Sequence, residues 1–301
     1  MDISAAFALA AALSWTLASL FGHGPSRELG SLHFNRLRMI TASILLVLMI
    51  MLTGGSFQID PAYLLAISAS AIIGVAIGDY FLFVAMRRLG PRRTGILFAS
   101  NAPMAALLGW LFLREALSLW SMLAILIGFI GVVLAIIYGK RQDLLHIWED
   151  ITPPLWIGVG AGLMAAFGQA VGVLLLRPVM EAGADPLMAG LVRCVVAGIC
   201  FWLIMPFEKT PSKPVSSLSR RMLWLILLNG FFGVSFGVAL LLKALETGNV
   251  AEVTMLSAVG PVMILPFIWY QTRKVPALGA WGGAVLVVLC TWLLILTKPV
   301  I

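Results

Sequence analysis

"IGDYFLFVAMRRLGPRR", residues 77–93, is an apolar run with one carboxylate, Asp79, set inside it and four arginines clustered at its end. An apolar stretch that closes in a knot of cations is the pattern of a helix leaving the hydrocarbon of a bilayer and meeting lipid headgroups. Asp79 precedes Arg87 by eight residues, about 12 Å of helix, which places an ionisable group well below those headgroups. Inserting an aspartate at such depth costs about 2.5–3.5 kcal/mol. The cost is offset only where the side chain faces protein, trapped water or a proton.

The rest of the chain agrees. Of 301 residues, 61% are hydrophobic and 11% charged, with a mean hydropathy of +1.04, too few polar side chains to cover a soluble globule. Apolar stretches long enough to cross a bilayer as helices recur at 4–22, 33–53, 62–86, 92–113, 118–138, 155–176, 186–206, 222–245, 250–270 and 276–297. Barrel strands would alternate over about ten residues, whereas these runs are long and uniformly apolar. The expected fold class is therefore all-α integral membrane, with ten transmembrane helices. The first span follows only Met1 and Asp2, without a basic n-region, and reads as a retained helix rather than a signal peptide. Cys194, Cys200 and Cys290 lie inside spans without C-x-x-C spacing, so neither a disulfide framework nor a zinc site is expected.

The net charge of +7 is explained by its placement, not by nucleic acid. In the ten-span frame, fifteen lysines and arginines fall on the side of the odd-numbered loops and four, Arg114, Arg177, Lys243 and Lys298, on the other. Short cytoplasmic loops carry the basic excess, so the odd loops are expected inside and both termini outside, with anionic lipid headgroups as partners.

The most polar connector, "GKRQDLLHIWEDITPP" at 139–154, divides the chain into halves at 1–138 and 155–301. An offset of 158 brings Gly90 onto Gly248 and Pro103 onto Pro261. At 159, Gly74-x-x-x-Gly78 falls on Gly233-x-x-x-Gly237, and at 157 Arg36 meets Arg193. Five spans per half make each half start on the opposite face, hence two inverted five-helix repeats. Asp60-Pro61 and Asp185-Pro186 place an N-cap acceptor before a first-turn proline, and "NVAE" from Asn249 reads as a capping-box-like start. Glycine pairs four residues apart (74/78, 158/162, 168/172, 233/237 and 279/283) allow close backbone approach between helices.

With spans and halves in place, "LGPRRTGILFASNAPMAALLGWLFLREALSLWSMLAILIGFIGVVL" (89–134) together with Gly78-Asp79 and Ala85 resembles the EamA-type, ten-helix branch of the drug/metabolite transporter superfamily. Gly90, Pro103 and Gly109-Trp110 through Glu115 carry the likeness. In the second half Gly260-Pro261 matches, while Arg273 stands where Glu115 stands in the first. The resemblance implies a transporter of small metabolites, often an exporter, with a substrate cavity between the halves. Members are usually drawn with both termini cytoplasmic, the reverse of what the charge bias here indicates.

The polar residues inside the spans are the candidates for substrate binding or coupling. Asp79 is either a proton or cation site or a structural salt bridge to Arg36 or Arg38. Arg193, seven residues after Pro186, lies too deep to reach the interface. It lines a substrate site, where its planar fork suits a carboxylate or phosphate, or sits in a buried pair. Arg36 is its pseudo-symmetric mate. Ser14, Trp15, Asn101, Gln169, Asn229 and Ser257 complete the set. Asn101 and Ser257 lie near Pro103 and Pro261, where proline frees backbone carbonyls. The alternative for Asn101 and Gln169 is interhelical hydrogen bonding, and for Trp15 plain packing or an interface anchor.

The expected activity is alternating-access transport of a small amino-acid-like, anionic or zwitterionic solute, in the direction of export, with protons as the candidate coupling ion. A facilitated-diffusion uniporter and a non-transporting sensor or assembly protein are the alternatives. An enzyme is not expected: His23, His33 and His146 are placed in loops and form no paired motif. No cofactor or metal is implied, and the expected location is the inner membrane.

Overall fold

The computed structural model describes residues 3–115, 118–138, 154–207, 218–260, 262–263, 270 and 278–296. The segment 271–277 with Arg273, the connector at 139–153 and Pro261 lie outside the described residues. Described residues form helices α1 (Ile3–Leu29), α2 (Ser31–Thr53), α3 (Pro61–Ser70), α4 (Gly78–Ala99), α5 (Asn101–Leu113), α6 (Leu119–Tyr138), α7 (Leu155–Glu181), α8 (Pro186–Leu203), α9 (Arg220–Gly230), α10 (Phe236–Leu245), α11 (Val250–Ser257) and α12 (Leu278–Leu296). Seven residues of π-helix, Ala71–Ile77, join α3 to α4, and five, Phe231–Ser235, join α9 to α10. No strand occurs among the described residues.

Six helical stretches are long and apolar enough to cross a membrane, and Leu97–Leu113, Leu119–Leu134 and Leu278–Cys290 are shorter apolar helices. The span expected at 250–270 is described only in part, through α11. Capping follows the sequence signals. Asp60 Oδ1 accepts from Ala62 N–H at 2.9 Å, Asp185 Oδ1 from Leu187 N–H at 2.7 Å, and Asn249 Oδ1 from Glu252 N–H at 2.8 Å.

One expectation needs correction. His23 and His33 are not in a loop: α1 runs on to Leu29 and α2 starts at Ser31, because Gly30 makes the turn alone at φ +76, a conformation open to glycine without steric cost. His33 is thus a buried residue of α2; His146 lies outside the described residues. α4 runs from Gly78 to Ala99, through the position of the expected turn at Gly90. The helix cannot be straight. A methyl group on Gly158 would lie 2.6 Å from Leu89, and one on Gly162 2.7 Å from Leu97. Eight residues of straight helix advance about 12 Å, yet Leu97 lies back along α7 past Leu89. The chain therefore doubles back between Leu89 and Leu97, the stretch in which the turn was expected.

The internal repeat is visible in contacts. The two π segments stand at equivalent places, offset by about 159. Each packs on the first helix of the other half. Gly74 meets Gly172 of α7, its added Cβ 3.1 Å from Gly172 Cα, while Gly233 meets Ala18 of α1 at 3.1 Å. Ser70 Oγ donates to Gly172 O at 2.7 Å, and its mate Asn229 Nδ2 donates to Ala18 O at 2.8 Å. The second helices, α2 and α8, cross antiparallel, with Leu46 beside Gly190 and Met39 beside Gly198.

Candidate functional site

The π segment of the first half sets the direction of Asp79. A π turn adds one residue to the helical repeat and rotates everything after it, so Asp79, in the first turn of α4, faces α2. There it forms a direct ion pair with Arg38. Both side chains are at least four-fifths buried, at 20% and 17% exposure. Of the two expected partners, the structure selects Arg38. Arg36 is 1% exposed and points the other way, its Nη1 3.5 Å from Phe201 O and its guanidinium 5.8 Å above the Trp202 ring. Phe201 lies in the last turn of α8, where carbonyls present partial negative charge to a cation.

Arg193, on α8, is buried against the glycine crossing: its Nη2 is 3.5 Å from the position of a Cβ on Gly74. Its Nε has no hydrogen-bond partner, nor has the Nε of Arg38. Gly74 precedes Asp79 by five residues, so Arg193 stands on the same stretch of chain as the Asp79–Arg38 pair. Gln169, half-buried on α7, adjoins the same crossing through its backbone next to Gly78.

The other candidates gather elsewhere. Ser14 Oγ donates to Phe232 O at 2.6 Å and Trp15 Nε1 to Gly233 O at 2.9 Å, serving carbonyls of the second π segment. Asn229 joins them through Ala18 O. Asn101 opens α5, buried, with Oδ1 lacking a partner. Ser257 closes α11, its hydroxyl donating locally to Thr254 O at 3.0 Å. Among the described residues no group of three His, Cys, Asp or Glu side chains could hold a metal.

Two features escaped the sequence reading. Asn35, adjacent to Arg36, is fully buried with neither amide atom paired; an asparagine in an apolar run was a signal available in the sequence. Glu115 and Arg177 meet at 3.6 Å although 62 residues separate them in the chain, and nothing in the local sequence pairs them.

A family model for the EamA-like transporter family matches residues 2–137 and again 156–296. The chain belongs to that family. The two matches divide this EamA protein on either side of its polar connector. An uncharacterized transporter of Synechocystis sp. (strain ATCC 27184 / PCC 6803 / Kazusa) is 21% identical over 229 residues, 74% of this chain; the match spans 63% of that relative's own length. A solved crystal structure shares the fold with a TM-score of 0.78 over 97% of this chain and 96% of its own, at 18% identity. Membership of this family agrees with the six helical stretches long and apolar enough to cross a membrane.

Proposed function

We propose that this transporter carries a small anionic or zwitterionic, amino-acid-like metabolite out of the cell across the inner membrane by alternating access of its two halves. The observation that carries the reading is the Asp79–Arg38 ion pair, both side chains at least four-fifths buried, with a second buried guanidinium, Arg193, packed against Gly74 five residues before Asp79. An anionic group on the cargo completes the charge balance, and a fork-shaped guanidinium holds a carboxylate through two parallel bonds. Asp79 is the proton site: a proton on it frees Arg38 for the cargo, and its loss returns Arg38 to Asp79. Transport coupled to the proton gradient follows.

A counterflow screen of amino acids, purines and sugar phosphates in reconstituted vesicles tests the substrate class. Stimulation confined to solutes without a carboxylate, phosphate or other anionic group overturns it. Arg193→Lys is expected to lower uptake although the charge is kept, because the fork is lost; unaltered uptake contradicts a direct role. Asp79→Asn is expected to flatten the pH dependence of transport, and an unchanged profile removes the proton role. Facilitated diffusion is the second reading, favoured by the ion pair itself, since a carboxylate already matched by Arg38 needs no proton.

A further inference from the structure

A second polar network lies at the other end of α5, away from the central cluster. Arg114 ends α5 in the left-handed conformation, φ 55, the sole non-glycine residue with positive φ among the described residues. This turn directs the next residue, Glu115, back across the helix end. Gly109 leaves the room it needs: a methyl group there would lie 2.8 Å from Glu115 Oε2. Both carboxylate oxygens accept from Val250 N–H, at 3.1 and 3.0 Å. A residue of the first half thus caps the N-terminus of α11 in the second.

Arg177, near the end of α7, completes the arrangement. It stands 3.6 Å from Glu115, and its Nη1 donates to Leu245 O at 2.8 Å and Glu246 O at 3.3 Å, carbonyls at the end of α10. Anion at a helix start and cation at a helix end are the favourable placements. Together the two side chains clamp the α10–α11 turn from both sides and tie it to the α5–α6 connection.

The two halves are covered unequally at this place. Every residue of α11 is buried, Met255 at 1% and Leu256 at 3% exposure, whereas their repeat mates at an offset of 158, Leu97 and Phe98, are only half-buried. In the sequence the same offset sets Arg273 opposite Glu115, and a cation cannot cap a helix N-terminus. In the sequence, then, the mated position offers no second carboxylate for such a cap.

We propose that Glu115 and Arg177 are a gate latch: they hold shut the face that carries the α10–α11 turn, and transport requires the latch to open so that α11 parts from α5. The inference rests on the alternating-access reading and adds to it the residues that position one gate.

The test uses full-length protein in liposomes with its native cysteines replaced by alanine. Spin labels are attached at Leu119→Cys and Thr247→Cys, both exposed positions flanking the clamp, and the distance between them is measured by pulsed electron resonance. Glu115→Gln is expected to raise a longer-distance population several-fold over the parent protein. Gly109→Ala, which crowds the carboxylate without changing any charge, is expected to do the same and serves if the first variant does not fold. An unchanged distance distribution in a folded variant overturns the latch, even where melting temperature falls, because a purely structural cap would loosen the fold without opening a second state. No substrate enters the measurement. Failure here leaves the transporter reading standing, whereas failure of counterflow leaves the distances intact.

Discussion

Asp79 shows how much of a buried charge is legible from sequence. Depth alone required a partner, and α2 offered Arg36 and Arg38. Two residues apart on a helix means about 200° of rotation, so the two arginines point to opposite sides, and the choice depended on which side α4 occupies. Both members of the pair are at least four-fifths buried, and removing one member of such a pair leaves a charge uncompensated. Asp79→Ala and Arg38→Ala are each expected to cost about 3 kcal/mol of stability, with the double variant losing clearly less than the sum. Melting of the purified protein by size-exclusion chromatography checks this cycle, and simple additivity contradicts a direct pair.

At the scale of elements, helices and their caps could be placed from sequence, because apolar length and Asp-Pro or Asn starts are local signals. The π segments were not, since an inserted residue in the helical repeat leaves no mark in composition. Their equivalence emerged only from contacts: Ser70 to Gly172 O and Asn229 to Ala18 O perform one task at mated positions with different side chains. Removing either donor by Ser70→Ala or Asn229→Ala is expected to lower stability by a similar amount, about 1 kcal/mol, read as a matched shift in melting. A large effect from only one of them would contradict the symmetry. The glycine crossing tolerates far less. A Cβ on Gly172 would meet Gly74 Cα at 2.9 Å, backbone that cannot yield by rotating. Gly172→Leu is expected to cost at least about 1–3 kcal/mol and to reduce the monodisperse fraction sharply, and an unperturbed elution profile would show that the first π segment and α7 are not in contact there.

For the whole molecule, the basic excess on one set of loops is a statement about orientation that the fold cannot supply, because a bundle of this kind looks alike from either face. The charge count predicts both termini outside. A cysteine introduced near the N-terminus by Asp2→Cys, in the same cysteine-free background, is expected to react with a membrane-impermeant maleimide in intact cells. Labelling only after permeabilisation reverses the orientation. That outcome would also move the Glu115 latch from the outer face to the inner one without altering its chemistry.

Composition and hydropathy by themselves determined that this chain lives in a bilayer as helices, where several of those helices start, and that its few buried charges must find partners inside the protein, because each of these follows from the cost of exposing polar groups to hydrocarbon. Which charges meet was decided by tertiary structure alone. Arg38 rather than Arg36 reaches Asp79, and Glu115 reaches α11 across 135 residues of chain, since such pairings depend on helix rotation and crossing, and neither quantity is written in any local stretch.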